Sequence, residues 1–236
     1  MSQSDRSLIS LLPSGLRAVL FDVDGTLAET EQEGHLPAFN EAFRSLDIPW
    51  VWSDEDYAWL LKTTGGLERM RVYAEHIGQS AWLEGEGAER LKSAHLLKNK
   101  RYAERVASGL VSPRPGVVAF IQALVHAGID WAVVTTTSRA NFEALYAHAL
   151  KPRDVPPPAL TVCGEDVTDK KPHPEAYLQA LARLRLQPES CMAVEDAPNG
   201  LRAARGAQLR CLVVRSVYFA EAEFTDAWRV RESFLP

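Results

Sequence analysis

The stretch that most constrains the fold is AVLFDVDGTLAET, at residues 18–30, where an unbroken apolar run meets two carboxylates, Asp22 and Asp24. A continuous apolar run is typical of a strand that is covered on both faces. Because side chains two residues apart on a strand point to the same side, Asp22 and Asp24 are predicted to converge. Two carboxylates in one small volume repel each other unless a cation compensates them. The stretch therefore predicts a buried strand that ends in a cation-dependent acidic site.

Further apolar runs indicate a parallel sheet. They are Ile129–Ser138, Ala159–Asp166, Cys191–Ala197 and Leu209–Ser216. Amphipathic segments such as residues 115–128 and 174–186 lie between them, with Pro115 and Pro174 near helix starts. Strands that alternate with helices are typical of α/β proteins. We therefore predict an α/β fold with a Rossmann-like, doubly wound parallel sheet as its core.

One region interrupts this alternation. From about residue 32 to about residue 107 the sequence shows helical periods, no comparable strand and four of the six tryptophans. An insertion directly after the first strand lies over the carboxyl ends of the strands, where open α/β sheets bind ligands. We therefore predict three parts: a catalytic core of residues 15–31 and 108–236, an inserted α-helical cap domain of residues 32–107, and an N-terminal extension of residues 1–14.

Composition and charge exclude several classes of function. The 236 residues are 46% hydrophobic and carry a formal net charge of −5, with scattered Lys and Arg, which argues against nucleic-acid or membrane-surface binding. No stretch approaches the roughly 18 apolar residues of a membrane span. Cys163, Cys191 and Cys211 lack the spacing of a metal or redox motif and are predicted to be reduced core thiols. We predict a cytoplasmic monomer that binds a small molecule and neither nucleic acid nor membrane.

The acidic pair at the end of the first strand favours magnesium chemistry. Mg²⁺ prefers oxygen ligands and keeps waters and substrate phosphate oxygens in its shell. Aspartate is also a nucleophile toward phosphorus, with an aspartyl-phosphate as the product. The alternative is a calcium-type loop, but such a loop needs further spaced oxygen ligands and a terminal Glu. We therefore predict Mg²⁺ as the cofactor.

Polar residues also follow the other predicted strands. Thr135–Ser138 offer hydroxyl and N–H groups to a phosphate, with an ordinary helix cap as the alternative. Lys170 and Lys171 precede a new helix, where one of them can balance a transferring phosphoryl group; the alternative is a solvated surface lysine. Glu195 and Asp196 are candidates for the remaining metal ligands, with an Asp helix cap as the alternative. The side chains of these acidic, hydroxyl and basic residues are thus predicted to gather at one edge of the sheet.

Taken in order, the motifs DVDGT, VVTTTS, KKP and VEDAPNG resemble those of the haloacid dehalogenase superfamily, with the helical insertion in the place of its cap. The resemblance implies that Asp22 is the nucleophile and Asp24 the general acid and base. It implies that Thr135 and Lys171 contact the phosphoryl oxygens. Mg²⁺ would be held by Asp22, the main-chain carbonyl of Asp24, and Asp196, with Glu195 as a second acid of the same site.

Within the superfamily, the segments DVDGTLAETE, TTGGLERM, AHLLKNKRY and TTTSRANFEAL resemble the CbbY subgroup of the Calvin-cycle operons. This resemblance implies a Mg-dependent sugar-phosphate phosphatase that converts xylulose 1,5-bisphosphate, a Rubisco misfire product, to xylulose 5-phosphate and phosphate. One set of side chains is implied to bind the small phosphorylated sugar: Glu31, His35, Thr64, Gly65, Gly66, Arg69, His95, Lys98, Thr135, Thr136, Thr137, Ser138, Arg139, Asn141 and Lys171.

Two features of the cap sequence bear on this resemblance. The alternative for Arg69 and Lys98 is a solvated helix face. The segment EQEGH, at residues 31–35, is one residue longer than in the subgroup and carries Gly34. The position of His35 relative to the site is therefore left open by the sequence.

Other activities compete with hydrolysis. A phosphosugar mutase of the β-phosphoglucomutase type shares the four motifs and a helical cap, so the sequence hardly separates it from a hydrolase. A dehalogenase is disfavoured because it needs neither a leaving-group acid nor a metal, whereas Asp24, Glu195 and Asp196 are present. A non-catalytic phosphate-binding module is disfavoured because Asp22 and Lys171 are also retained.

Overall fold

The centre of the structure is a six-stranded parallel sheet. The computed structural model describes residue 9 and residues 12–235, so most of the predicted N-terminal extension (1–14) lies outside the described residues. The spatial order of the strands is 3-2-1-4-5-6, and every neighbouring pair is parallel. The predicted doubly wound α/β fold is confirmed. The strands are β1 (Ala18–Phe21), β2 (Asp130–Val134), β3 (Thr161–Val162), β4 (Cys191–Glu195), β5 (Arg210–Val214) and β6 (Arg229–Arg231).

Helices cover both faces of this sheet. Val19 and Phe21 of β1 enter an apolar cluster on one face, and Ala18 and Leu20 enter a second cluster on the other. This is why the first run is continuously apolar rather than alternating. The helices of the described chain are α1 (Leu36–Ser45), α2 (Asp54–Leu60), α3 (Gly66–His76), α4 (Gly85–Ala107), α5 (Val117–His126), α6 (Arg139–Leu145), α7 (Glu175–Leu184) and α8 (Pro198–Gly206).

The region between β1 and α5 is helical. Helices α1 to α4 lie there, and no residue from 32 to 107 is in a strand. Aromatic residues of this region, including Phe39, Phe43 and Trp52, form a third apolar cluster, against which Tyr218 and Phe219 also pack. The division into cap and core at residues 32 and 107 stays a prediction.

Two strands differ from their predicted extent. β3 has two residues where the apolar run of residues 159–166 suggested a longer strand, because a short 3₁₀ helix, Gly164–Asp166, follows it. β6 was not predicted, since Arg229–Arg231 is a largely exposed edge strand with no apolar run. The three cysteines are buried and free, as predicted. In the described part of the chain, no helix combines the length and apolarity that a membrane span requires.

Candidate active site

Three carboxylates meet at the carboxyl edge of the sheet. Asp22 follows β1, while Glu195 ends β4 and Asp196 comes directly after it. All three are buried, and one carboxylate oxygen from each lies within 4.8 Å of the others. The N-cap of α8 is Ala197, with no side-chain capping bond, so Asp196 is not the helix cap considered above.

Lys171 is the cation at the centre of this acidic cluster. Its Nζ donates to Asp22 Oδ1 and to Glu195 Oε1, each at 2.7 Å, and to the carbonyl oxygen of Val134 at 2.8 Å. The side chain is 3% exposed, which excludes the alternative of a solvated surface lysine. Lys171 thus ties the end of β1 to the ends of β2 and β4.

One lysine does not neutralise three buried carboxylates. Burial raises the pKa of Asp22 to about 8, although the Lys171 ammonium opposes the rise. Burial and the neighbouring Asp22 also raise the pKa of Asp196 well above its ordinary value. A divalent cation relieves such a concentration of charge, and carboxylate oxygens are the donors that Mg²⁺ prefers.

The local backbone is shaped for this cluster. Gly25 has φ +81°, and a Cβ there would lie 2.1 Å from Asp196 Oδ2, so a side chain would displace that carboxylate. The residues present therefore fit Mg²⁺, with Asp22, Asp196 and the main-chain carbonyl of Asp24 as the predicted ligands.

Glu195 has a different principal contact. Its Oε1 accepts the Lys171 bond and a second bond from the Tyr177 hydroxyl at 2.5 Å. A Cβ on Gly200 would lie 2.0 Å from Glu195 Oε2, so α8 packs tightly against this carboxylate. Glu195 therefore holds Lys171 in place, whether or not it also binds metal.

Asp24 lies in contrasting surroundings. Its Oδ1 accepts a bond from Thr30 Oγ1 at 2.5 Å and lies 3.1 Å from His35 Nε2. Burial by itself raises the pKa of an acid, but His35 and Thr30 outweigh it and hold the pKa of Asp24 well below its usual range. The pKa values of Asp22 and Asp24 are thus shifted in opposite directions, as is common for two acids with different roles in one site.

A π-helix brings His35 to Asp24. Residues Glu31–His35 form a single π-turn. A π-turn accommodates one extra residue within a helix. Gly34 lies against Tyr102, where a Cβ would be 2.7 Å from the ring, and His35 stacks on the same ring with centroids 4.1 Å apart. The structure therefore places His35 at the site.

Glu31 and Arg69 form an ion pair on the helical side of the site. Arg69 Nη2 lies 3.1 Å from Glu31 Oε1, and Nη1 donates to the Tyr57 hydroxyl at 2.9 Å. The Tyr57 hydroxyl in turn donates to Glu31. The charge of Arg69 is thus already balanced within the protein, and this side chain is not a solvated surface arginine.

Lys98 is a buried cation of a different kind. Within the described part of the chain, no carboxylate is close enough to its ammonium to form an ion pair. Its Nζ lies 4.8 Å from the centroid of the Phe39 ring, and burial lowers its pKa to about 8. Burial and the charge of Lys98 lower the pKa of His95 to about 4, so His95 is neutral at pH 7. Lys98 is therefore the charge best placed for an anionic ligand.

These groups surround one cavity of about 200 Å³. Most of the predicted site residues line it: Asp22, Asp24, Glu31, His35, Gly65, Gly66, Arg69, His95, Lys98, Thr136, Thr137, Ser138, Asn141, Lys171 and Asp196. The predicted residues that line the cavity thus come from both the sheet edge and the helical region.

Three predicted residues do not line the cavity. Thr64 donates to the carbonyl oxygen of Lys171 at 2.7 Å, and Arg139 is paired with Asp166 at 2.5 Å. The hydroxyl of Thr135 accepts a bond from the N–H of Thr137 at 3.1 Å and is buried. Thr136 lines the cavity next to it, and the role of Thr135 at a phosphoryl group stays a prediction.

Several residues of the site were missed by the sequence analysis. Thr30, Tyr57 and Tyr177 are polar side chains inside helical or linker segments, where no pattern separates a buried hydroxyl from an exposed one. Ser216 follows β5 at the same edge and lines the same cavity as Asp196. The rule that polar residues after parallel strands gather at one edge could have found Ser216.

Comparisons with known proteins agree with this geometry. The model of the haloacid dehalogenase-like hydrolase family matches residues 16–208. Protein CbbY of Rhodobacter capsulatus is 43% identical over 216 residues, covering 91% of this chain and 92% of the relative. CbbY of Cereibacter sphaeroides is 43% identical over 225 residues, covering 93% of each.

Solved structures give the same result. The crystal structure of CbbY from Rhodobacter sphaeroides in complex with phosphate has a TM-score of 0.83 and 41% identity, covering 93% of this chain and 95% of that one. An aspartate-to-asparagine variant of that protein, in complex with xylulose 1,5-bisphosphate, matches equally well. The chain belongs to the haloacid dehalogenase-like hydrolase family. It is a phosphatase of that family, as the four motifs implied.

We expect Gly200→Ala to reduce turnover without unfolding the protein. The added Cβ would overlap Glu195 Oε2 and displace the carboxylate that holds Lys171. Loss of an aligned charge near the reacting group costs on the order of 100-fold in kcat. Gly206→Ala, on the same helix, is the matched control, since its Cβ would meet only Pro174 at 3.1 Å. Equal phosphate-release rates for the two variants would contradict the role given to Glu195.

Metal affinity is expected to increase with pH. Because the pKa of Asp22 is raised to about 8 in the metal-free protein, a cation must displace a proton below that pH. Apparent Mn²⁺ affinity should therefore rise by up to about tenfold per pH unit below pH 8 and level off above it. Titration of the metal-free protein at several pH values measures this. An affinity that does not change between about pH 6 and pH 8 would contradict it.

Proposed function

We propose that the protein is a Mg²⁺-dependent sugar-bisphosphate phosphatase that converts xylulose 1,5-bisphosphate to xylulose 5-phosphate and phosphate. Support comes from the CbbY of Rhodobacter sphaeroides, which has 41% identity with this chain and was crystallised with xylulose 1,5-bisphosphate. The proposal also covers the helical region, residues 32–107, as a cap that supplies part of the cavity wall.

The observation that carries the proposal is the pair of cationic positions in one cavity. Lys171 lies among the acidic groups at the sheet edge, and Lys98 lies on α4 with no carboxylate partner among the described residues. A buried, uncompensated ammonium is unfavourable unless a ligand supplies negative charge. A substrate with two phosphates would place one at each lysine.

In the first half of the reaction, Asp22 attacks phosphorus and the bond to the sugar oxygen breaks. Asp24 gives its proton to that oxygen. A bound phosphoryl group adds negative charge beside Asp24. This charge offsets the effect of His35 on the pKa of Asp24 and favours the protonated form of the acid. Lys171 and Thr136, which both line the cavity, would contact the phosphoryl oxygens.

In the second half, Asp24 takes a proton from water, and that water cleaves the aspartyl-phosphate to restore Asp22. Because the pKa of Asp24 is lowered, its side chain is a carboxylate, which is the form that accepts a proton. When bound, Mg²⁺ supplies charge withdrawal from the phosphoryl group and compensates Asp22 and Asp196.

Phosphate release from xylulose 1,5-bisphosphate is expected to be stoichiometric and to require Mg²⁺. Asp22→Asn should lower kcat by at least about a thousandfold, because the amide is a poor nucleophile. A panel of sugar mono- and bisphosphates, assayed with and without Mg²⁺, measures both. Interconversion of two monophosphates without net phosphate release would instead indicate a mutase of the β-phosphoglucomutase type. Full turnover by Asp22→Asn would remove Asp22 as the nucleophile.

Lys98→Met is expected to weaken binding of bisphosphates more than of monophosphates. Loss of a charge-assisted contact to the second phosphate costs about 1.5–3 kcal/mol, or roughly 10- to 100-fold in KM. Lys98→Arg keeps the charge and should retain part of the affinity. The control is Lys92→Met on the same helix, since Lys92 is exposed and paired with Glu89. An equal effect of Lys98→Met on both substrate classes would contradict a distal phosphate at this position.

A further inference from the structure

Arg114 is a buried arginine outside the cavity wall. Its side chain is 7% exposed, and its guanidinium contacts three main-chain carbonyls and one carboxylate. Nη1 donates to the carbonyl oxygen of Gly25 at 2.5 Å and to that of Val214 at 2.9 Å, while Nη2 donates to that of Arg215. Nε lies 3.2 Å from Glu29 Oε1. The side chain thus makes four polar contacts within the protein and does not line the cavity.

These contacts join the two loops that enclose Asp196. Gly25, in the loop after β1, lies so close that a Cβ there would overlap the Asp196 carboxylate. Val214 ends β5, and Ser216, two residues later, lines the cavity together with Asp196. The loops approach each other beside Asp196, since a Cβ on Gly25 would be 3.2 Å from Ser216 Cβ. Arg114 therefore fixes the distance between Gly25 and Ser216, the two residues that lie beside Asp196.

The main chain adds a further connection. The N–H of Arg114 donates to the carbonyl oxygen of Leu27 at 2.9 Å, and Pro113 forms a β-bridge with Ala28. Asp24 bridges Ala28 in turn. The segment that enters the helical region and the segment that leaves it are thus joined next to the loop that carries Asp24.

We propose that Arg114 is a positioning residue for the metal site: by holding the carbonyls of Gly25, Val214 and Arg215, it sets the geometry of Asp196 and of the Asp24 main chain around the cation. The inference rests on the proposed function, because that function requires a divalent cation at Asp22 and Asp196. Groups that orient ligands from behind contribute about 10- to 100-fold to metal affinity. A lysine in place of Arg114 has a single nitrogen and cannot engage three carbonyls in the same directions.

The test is Mn²⁺ binding in the absence of substrate, followed by electron paramagnetic resonance, for the full-length wild type and three variants. Arg114→Lys should bind Mn²⁺ about tenfold more weakly, and Arg114→Met up to about 100-fold more weakly. The matched control is Arg90→Lys, since Arg90 also donates to two main-chain carbonyls, those of Leu46 and Asp47, within the helical region. Saturating Mn²⁺ should restore most of the kcat of Arg114→Lys, with KM unchanged.

The outcomes separate the two proposals. Wild-type affinity in Arg114→Lys would overturn this inference alone, as would an equal loss in Arg90→Lys, because the effect would then be general loosening. A kcat that stays low at saturating Mn²⁺ would also overturn it. If Arg114→Met does not fold, Arg114→Lys decides. Failure of the wild type to bind Mn²⁺ would overturn the proposed function, and with it this inference.

Discussion

The structure depends on the burial of three carboxylates around one ammonium group at the edge of a parallel sheet. Removing charged groups from water is expensive unless they are compensated, and Lys171 compensates two of the three. The remaining negative charge raises the pKa values of Asp22 and Asp196. The folded protein therefore holds these acids in a cluster whose negative charge a divalent cation would compensate.

The rigidity of this cluster comes from its surroundings. Glu195 holds Lys171 in place. Glu195 is in turn held by the Tyr177 hydroxyl and by the close approach of Gly200 in α8. Asp24 is fixed separately, through Thr30 and His35. Because the two sets of contacts are independent, neighbouring aspartates on one strand end acquire opposite shifts in pKa. Two acids that serve as a nucleophile and as a general acid and base need different pKa values. The spacing Asp-x-Asp does not provide this difference by itself.

The sequence predicted those parts of the fold and site that depend on local patterns. Continuous apolar runs located β1, β2, β4 and β5, because both faces of these strands are buried. The edge strand β6 gave no such signal, since its residues are largely exposed. At the site, strand ends located Asp22 and Asp196, and the segment before a helix located Lys171.

Contacts made across the fold were beyond the reach of the sequence. Thr135 and Thr136 are chemically equivalent in the sequence, and only the turn that bonds Thr135 to the Thr137 N–H separates them. Arg114 lies in the segment SPRPG, which reads as a loop, and its acceptors are carbonyls 89 to 101 residues away in the chain. Main-chain carbonyls are present at every residue, so no sequence pattern identifies which of them an arginine will contact.

The π-turn at residues 31–35 places His35 against Asp24. An extra residue in an α-helix would rotate every later side chain by about 100°, which would turn His35 away from Asp24. The π-turn confines the change to one turn, and Gly34 makes this possible because Tyr102 occupies the space of a side chain there. Tyr102 then supports His35 by stacking. Gly34 and the aromatic ring on α4 thus pack at the turn that carries His35, whose Nε2 lies 3.1 Å from Asp24 Oδ1.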